Sequence, residues 1–417
     1  MKYVLIIADG IADVPNDALQ GRTPLGALTL PHIDALAGAH MGRVRTVPEG
    51  LPPGSDTAIL SIFGYDPRVC YTGRSPLEAA GSGVALAPGE VSFRVNLTAL
   101  DGDSFDASHI LSHNGGGVEG DEVAALLAAL RADPGFVQAA RALGMTLHES
   151  RTFRHVGVVD AAHAAPDGQY LLTEPHNVLG EAIAAHLPRG EAARQITAYM
   201  RASYAALRGH PINRVRAARG LLPANCLWPW GAGRAVALDD FTAKYGKRAA
   251  VISAVPLVWG IAALAGLPAP RVPGATGDLD TNYAGKVDAA LSALRGQADL
   301  VILHVEAPDE CAHAGDVEGK CEALRRMDDR VVRPLLAALP TLDPAHRILL
   351  LSDHYTLLTT RKHDGTPVPY CLYDSRDPGV PRRFDEAAVQ GAPLLKEGTA
   401  LLPLLFSDGT APPASTI

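Results

Sequence analysis

The stretch Tyr3-Val4-Leu5-Ile6-Ile7-Ala8-Asp9 decides the predicted fold, because a continuously apolar run ends there in a carboxylate. A strand that is apolar at every position is buried on both faces, which is typical of a parallel sheet covered by helices. Similar apolar runs occur at residues 300–305 and 348–351, near the other end of the chain. The three runs therefore predict an α/β protein with a mostly parallel sheet assembled from both ends of the sequence.

Side chains that can bind divalent metals follow these three strands. In an open α/β sheet, ligands gather beyond the carboxyl ends of parallel strands. Carboxylate and imidazole groups together suit divalent transition metals such as Mn²⁺ and Zn²⁺. Taken singly, each residue has a plainer interpretation, such as a capping aspartate or a surface histidine. Together they predict a metal centre built from Asp9, Asp309, His313, Asp353, His354 and His363.

Ser55 is the candidate nucleophile. It lies in Gly54-Ser55-Asp56, directly before an apolar helix predicted over residues 57–63. A serine at such a place is commonly only an N-cap. The free N–H groups and the dipole of a helix N-terminus also favour an alkoxide and an incoming phosphate. A metal pair beside an activated serine suits phosphoryl transfer, since two cations can bind the nucleophile and the transferring group at once.

A phosphorylated substrate also requires cationic side chains for its phosphate and carboxylate groups. Arg74, in a glycine-containing loop shortly after Ser55 in the sequence, is the best of the candidates. Each candidate taken alone is more often a solvated surface charge. The candidate substrate-binding residues are Arg74, Arg154, His155, His176, Arg214 and Lys286.

The β-α alternation predicts one discontinuous domain with a second domain inserted into it. The alternation is clear in residues 1–85 and 230–417, which contain all the candidate metal ligands and predict the metal-binding core. Residues 86–229 are less regular and predict a smaller inserted α+β domain. Trp228-Pro229-Trp230-Gly231-Ala232-Gly233 predicts a break in regular structure, and residues 407–417 predict a frayed tail.

The composition excludes several classes of function. The chain has 417 residues and a net charge of −8, and it has no polybasic run, so neither nucleic acid nor an anionic membrane is an expected partner. The five scattered cysteines include no CxxC motif, which favours a reducing cytoplasm over a disulfide framework. No apolar run approaches the roughly 18 residues that a membrane-spanning helix needs.

Several motifs together resemble a known family and span nearly the whole chain. They are Ala8–Asp13, Pro52–Ala58, Gly64–Pro67, Tyr71–Arg74, Phe93–Asn96, Pro273–Gly277, Glu306–Asp309 and Asp353-His354. In these motifs the chain resembles the archaeal-type 2,3-bisphosphoglycerate-independent phosphoglycerate mutases of the alkaline phosphatase superfamily.

The resemblance implies interconversion of 2- and 3-phosphoglycerate, a step of glycolysis and gluconeogenesis, through a phosphoserine at Ser55. It also implies two divalent metal ions and no need for 2,3-bisphosphoglycerate. The inserted domain at residues 86–229 would bind the substrate as a lid. The favoured ion is Mn²⁺, with Zn²⁺, Co²⁺ and Mg²⁺ as alternatives. One ion would be held by Asp309, His313 and His363, and the other by Asp9, Ser55, Asp353 and His354.

Other functions stay open at this point. Residues 305–310 are more similar to a bacterial branch proposed to be homoserine kinases, so an ATP-dependent kinase of a small alcohol is one alternative. A metal-dependent phosphatase, in which water intercepts the phosphoserine, is a second. A metal-binding structural protein is a third, and the Ser55 loop disfavours it.

Overall fold

The computed structural model describes residues 1–165 and 170–407. The predicted frayed tail, apart from Ser407, therefore lies outside the described residues. The chain divides into two compact units, one of Met1–Tyr71 with Ala237–Ile417 and one of Thr72–Val236. The sequence analysis predicted domain boundaries after residues 85 and 229. The first of these is later in the chain than the boundary after Tyr71, and the second is earlier than the boundary after Val236.

The strands of both units are numbered in chain order. They are β1 (Lys2–Ala8), β2 (His40–Val44), β3 (Val91–Leu100), β4 (Ile110–Ser112), β5 (Met145–His148), β6 (Arg154–Val159), β7 (Cys226–Arg234), β8 (Ala249–Ile252), β9 (Leu300–Val305), β10 (His346–Leu351), β11 (Tyr355–Leu357), β12 (Lys362–Asp364), β13 (Val368–Asp374) and β14 (Leu394–Leu395).

The helices are numbered in the same way. They are α1 (Pro24–Ala27), α2 (Pro31–Leu36), α3 (Ser55–Ile62), α4 (Pro67–Cys70), α5 (Arg74–Gly81), α6 (Gly120–Ala132), α7 (Pro134–Leu143), α8 (Ala193–Leu207), α9 (Pro211–Ala218), α10 (Phe241–Tyr245), α11 (Pro256–Leu264), α12 (Tyr283–Arg295), α13 (Ala307–Ala314), α14 (Val317–Met327), α15 (Arg333–Leu342) and α16 (Leu401–Phe406). Within the described ranges no single helix is long and apolar enough to cross a membrane, although α6 and α7, bent by 82°, pass that test when taken as a pair.

The first unit contains a seven-stranded sheet in the order β14-β2-β13-β10-β1-β9-β8. The strands β10, β1, β9 and β8 are parallel to one another, whereas β13 is antiparallel to both β10 and β2. The predicted α/β class with a mostly parallel sheet is confirmed. Because β1 lies between β9 and β10, the carboxyl ends of the three strands that the sequence singled out meet at one edge.

The strand β1 is apolar at successive positions because both faces of the sheet are covered. Val4 and Ile6 belong to a core that also contains Val287 of α12 and Leu324 of α14. On the opposite face, the ring of Tyr3 makes an edge-to-face contact with Phe406 of α16, with ring centroids 5.1 Å apart. Helices on both faces therefore require the unbroken apolar run that opens the sequence.

The second unit contains an antiparallel sheet in which β3 pairs with β4, β6 and β7. The predicted break at residues 228–233 is wrong, because these residues lie in β7 opposite β3. The glycines and proline that suggested a break are accommodated by an irregular register near Arg94, where Gly231 has a φ of 61°. The tryptophans on either side of Pro229 are buried and supply the apolar area of a strand.

A buried ion pair fixes the loop that follows β1. The Nζ atom of Lys320 on α14 lies 2.8 Å from Oδ2 of Asp13, and at most 1% of either side chain is exposed. The same ammonium group donates to the carbonyl oxygen of Thr356 on β11 at 2.8 Å. The pair thus connects the loop after β1 to the strand that follows Asp353 and His354.

We predict that Lys320→Met lowers the free energy of unfolding of the first unit by about 3–5 kcal/mol, because it leaves the Asp13 carboxylate buried without its cation. Chemical denaturation measures the loss. The double variant Asp13→Leu/Lys320→Met removes both charges and should be more stable than the single variant. Arg333→Met, which breaks an ion pair with Asp329 in which both side chains are 58% exposed, is the surface control and should cost less than about 1 kcal/mol. A double variant no more stable than Lys320→Met would contradict the prediction.

Candidate functional site

Asp9, directly after β1, presents one carboxylate oxygen that the protein leaves unpartnered. Its Oδ2 atom lies 2.9 Å from Nε2 of His304 on β9. Its Oδ1 atom is buried and has no hydrogen-bond partner among the described residues. Burial, together with the nearby carboxylates of Asp353 and Asp309, raises the pKa of Asp9 well above its usual range. A cation at Oδ1 would relieve both the burial cost and the repulsion.

Asp353, after β10, repeats this arrangement with backbone donors. Its Oδ1 atom accepts the backbone N–H groups of Gly10 at 3.1 Å and of His354 at 2.9 Å. Its Oδ2 atom is buried and has no hydrogen-bond partner in the described part of the chain. Nε2 of His354 lies 3.2 Å from this oxygen and 3.7 Å from Oδ1 of Asp9. Two free carboxylate oxygens and one imidazole nitrogen therefore converge.

Thr356 fixes the tautomer of His354. Its hydroxyl donates to Oδ1 of Asp309 at 2.6 Å, so the proton between Thr356 Oγ1 and His354 Nδ1, which are 3.1 Å apart, comes from the histidine. Nε2 of His354 therefore carries a lone pair, which accepts the hydroxyl proton of Ser55 at 3.1 Å. A lone pair at this nitrogen is also what a metal ion requires.

Ser55 is the first residue of α3 rather than its cap. The N-cap interpretation is wrong, because Gly54 occupies that position and makes no side-chain capping bond. A Cβ atom at Gly54 would lie 2.8 Å from Oδ1 of Asp56, so the close turn leaves no room for a side chain there. The Ser55 hydroxyl is consequently free to contact His354 at the N-terminus of a buried helix.

A second group of ligands lies beside the first. Asp309 and His313 are on α13, four residues apart and therefore on one face of that helix, and His363 is on β12. Their ligand atoms lie within 4.8 Å of one another, as do those of Asp9, Asp309 and His354. The Nε2 atoms of His313 and His363 are only 2.8 Å apart. Two facing imidazole nitrogens at this distance need a shared proton or a cation between them.

Asp309 determines the protonation of this second group. Burial alone would lower the pKa of His313, but the Asp309 carboxylate, with which it is hydrogen-bonded, raises that pKa to about 9. Conversely, although burial alone would raise the pKa of Asp309, its hydrogen bonds with His313 and His363 hold it well below its usual range. Without a metal, His313 is therefore mostly protonated at neutral pH.

The sequence analysis did not identify His304, Thr356 or Gly10 as site residues. Gly10 has a φ of 61°, and a Cβ atom there would lie 2.6 Å from Thr356 Oγ1 and 2.8 Å from Asp309 Oδ1. A glycine directly after a strand-ending aspartate was the available signal for such a close approach. His304 and Thr356 gave no comparable signal, because both are buried polar residues within strands.

A separate cluster of charged residues lies within the second unit. Glu78 on α5 accepts the Nε–H of Arg74 at 2.8 Å, and its other oxygen lies 2.9 Å from Nε of Arg94 on β3. Burial, together with the nearby guanidinium groups of Arg74 and Arg154, lowers the pKa of Arg94 to about 9. Three guanidinium groups, of Arg74, Arg94 and Arg154, are therefore gathered here with the carboxylates of Glu78 and Glu174.

Aromatic groups complete this cluster. The guanidinium group of Arg94 lies over the ring of Trp230, 4.1 Å from its centroid, and the ring of His176 packs edge-on to Trp230 with centroids 5.2 Å apart. His176 also lies 3.2 Å from Glu174. We call Arg74, Glu78, Arg94, Arg154, His176 and Trp230 the arginine cluster.

The remaining candidate substrate-binding residues lie elsewhere. His155 follows Arg154 on β6 and so points to the opposite face, where it is buried and accepts the N–H of Ser150 at 3.1 Å. Arg214 is exposed on α9. Lys286 is fully buried in the first unit and donates to the carbonyl of His304 at 3.3 Å, and burial lowers its pKa to about 8.

Comparison with known proteins identifies relatives along the whole chain. A family model described as 2,3-bisphosphoglycerate-independent phosphoglycerate mutase matches residues 37–213. A protein of that description from Methanothrix thermoacetophila is 44% identical over 98% of this chain and 100% of its own length. A relative from Geobacter sulfurreducens, described as a probable enzyme of this kind, is 41% identical over 97% of this chain and 100% of its own.

Solved structures agree with this relationship. The PH0037 protein from Pyrococcus horikoshii has a TM-score of 0.74 and is 29% identical, covering 97% of this chain and 96% of its own. A cofactor-independent phosphoglycerate mutase from Thermoplasma acidophilum has a TM-score of 0.58 and is 25% identical, covering 97% and 99%.

We predict that divalent metal binding releases protons and strengthens as the pH rises from 6 to 9. A metal ion must displace the proton of His313, whose pKa is raised to about 9. Calorimetric titration with Mn²⁺ in two buffers of different ionisation enthalpy measures the protons released. The release should be substantial at pH 7 and should fall for His313→Ala. An affinity that does not change over this range would contradict the assignment.

Proposed function

The chain belongs to the 2,3-bisphosphoglycerate-independent phosphoglycerate mutase family, and on this premise we propose that it interconverts 2- and 3-phosphoglycerate through a phosphoserine at Ser55. The observation that carries the proposal is the position of the Ser55 hydroxyl, 3.1 Å from Nε2 of His354. This nitrogen lies beside the unpartnered, buried oxygens of Asp9 and Asp353. A nucleophile next to such a set of ligands suits phosphoryl transfer.

The donor atoms fit divalent cations, because two buried carboxylate oxygens have no hydrogen-bond partner among the described residues and Nε2 of His354 lies 3.2 and 3.7 Å from them. We propose that one ion is held by Asp309, His313 and His363, and the other by Asp9, Ser55, Asp353 and His354, and that Mn²⁺ serves best. When bound, such ions would lower the pKa of the Ser55 hydroxyl and neutralise charge on the transferring phosphoryl group.

The chain's own residues then account for the transfer. Ser55 Oγ attacks the phosphorus, the bond from phosphorus to the substrate oxygen breaks, and the proton lost by Ser55 ends on the released glycerate hydroxyl. The glycerate reorients, and its other hydroxyl takes the phosphoryl group back from Ser55 with the reverse proton transfer. The position of Ser55 at the start of α3 favours the phosphoserine, since the N-terminus of a helix stabilises a phosphate.

We also propose that the arginine cluster binds anionic groups of the substrate. Arg94 and Arg154 lie on neighbouring strands, and Arg74 shares Glu78 with Arg94. Guanidinium groups bind carboxylate and phosphate oxygens in a bidentate manner. Held against Glu78 and Trp230, the side chain of Arg94 loses little further conformational freedom when an anion binds.

The five cysteines are all free thiols, which suits a reducing compartment, and we propose that the enzyme acts in the cytoplasm.

We predict that Ser55→Ala abolishes mutase activity while leaving the fold intact. Ser55 carries the hydroxyl that contacts Nε2 of His354, and within residues 1–165 and 170–407 no second hydroxyl is hydrogen-bonded to that nitrogen. The assay converts 3-phosphoglycerate with Mn²⁺ and contains neither ATP nor 2,3-bisphosphoglycerate, and mass spectrometry detects phosphoserine in the wild type. Ser61→Ala, which removes a fully buried hydroxyl from the same helix, is the control and should remain active. Near-normal turnover by Ser55→Ala would exclude the covalent mechanism.

We predict that Arg154→Ala raises KM for 3-phosphoglycerate by roughly 10–100-fold, the cost of a lost charge-assisted hydrogen bond of about 1.5–3 kcal/mol. Arg141→Ala on the exposed surface of α7 removes the same charge from the same unit and should leave KM unchanged. Steady-state kinetics separates KM from kcat for both variants. Equal effects of the two substitutions would show that the arginine cluster has no special role in binding.

A further inference from the structure

Three buried polar side chains form a chain of hydrogen bonds that ends at Asp9. Ser253, which follows β8, has its Oγ atom 3.1 Å from Nδ1 of His304. Nε2 of His304 lies 2.9 Å from Oδ2 of Asp9. All three side chains are at most 1% exposed, so none of these hydrogen bonds competes with bulk water.

The direction of each hydrogen bond follows from its partners. A carboxylate oxygen can only accept a hydrogen bond, so the hydrogen bond between Oδ2 of Asp9 and His304 is donated by the histidine. The proton of the neutral imidazole then resides on Nε2, where it is donated to Oδ2 of Asp9. Nδ1 of His304 therefore accepts the hydroxyl proton of Ser253, whose Oγ also accepts the backbone N–H of Val255 at 3.1 Å. This hydrogen bond supports the tautomer that binds the aspartate.

We propose that His304 is a positioning residue for metal binding: it holds Oδ2 of Asp9 so that Oδ1 is presented to the cation. The unpartnered state of Oδ1 is the direct consequence of this arrangement. The inference rests on the proposed function only in taking a divalent cation as the ligand of Asp9, and it holds whatever reaction the site performs.

Comparison with Asp353 shows why a side chain is needed at Asp9. The carboxylate of Asp353 is held by two backbone N–H groups, and these donors do not depend on the side chains at their positions. Among the described residues no backbone N–H group donates to the Asp9 carboxylate, so its orientation depends on His304. The carboxylate is also surrounded by Asp353, Asp309 and Glu306, whose repulsion would otherwise favour turning it away.

The test is calorimetric titration of the full chain, freed of metal, with Mn²⁺ alone. His304→Ala should weaken binding by about 10–100-fold, the usual effect of losing a residue that orients a metal ligand. His304→Gln keeps an N–H donor at a similar reach and should recover most of the affinity. His346→Ala is the matched control: His346 is equally buried but begins β10, at the opposite end of that strand from Asp353, and its loss should leave Mn²⁺ affinity unchanged.

Absorption spectra of the Co²⁺-loaded variants give a second readout, because they report coordination geometry rather than stability. The spectrum of His304→Ala should differ from wild type, and that of His346→Ala should not.

If His304→Ala does not fold, Ser253→Ala is the deciding variant, with an expected loss of about three- to tenfold in Mn²⁺ affinity. Wild-type affinity in His304→Ala, or in Ser253→Ala if that variant must decide, would overturn the proposal. A wild type that lacks mutase activity but shows the predicted affinities would refute the proposed function and leave this inference standing.

Discussion

Repulsion among buried carboxylates is the constraint on which the rest of this structure depends. Asp9, Asp309 and Asp353 converge at the edge where the parallel strands of the first unit end, and all three are at most 5% exposed. Like charges in such a place cannot all persist unless protons or cations neutralise them. The surrounding structure holds these groups together nonetheless, through the glycine turn after Asp9, the hydroxyl of Thr356 and the buried pair of Asp13 with Lys320.

Much of this arrangement could be predicted from the sequence because it follows from strand direction. Apolar runs that end in Asp9 and Asp353 predict buried parallel strands, and parallel strands bring their carboxyl ends together. The spacing of Asp309 and His313 predicts one face of a helix without knowledge of the fold. The mostly parallel α/β sheet and the convergence of these residues needed no more information than that.

Other features depend on contacts between distant segments and could not be predicted. His304 was hidden inside a strand-like run, and its importance comes from a partner 295 positions away in the chain. Arg94 resembles an ordinary strand residue until β3 and β7 pair and place Trp230 beside it. The same pairing explains the mistaken break at residues 228–233, since glycine and proline in a short sequence window outweighed the two tryptophans. Likewise, the sequence did not show that Gly54, and not Ser55, is the N-cap of α3. The close approach of Gly54 to the Asp56 carboxylate is visible only in the structure.

The central claim is that the buried carboxylates form a two-metal centre. Anomalous diffraction from crystals soaked in Mn²⁺ tests it most directly, because the scattering locates the ions without reference to activity. The account predicts two anomalous peaks in the first unit, one bound by Asp309, His313 and His363 and the other by Asp9, Ser55, Asp353 and His354. Strong peaks elsewhere with none at these residues, in crystals of folded protein at saturating Mn²⁺, would contradict it.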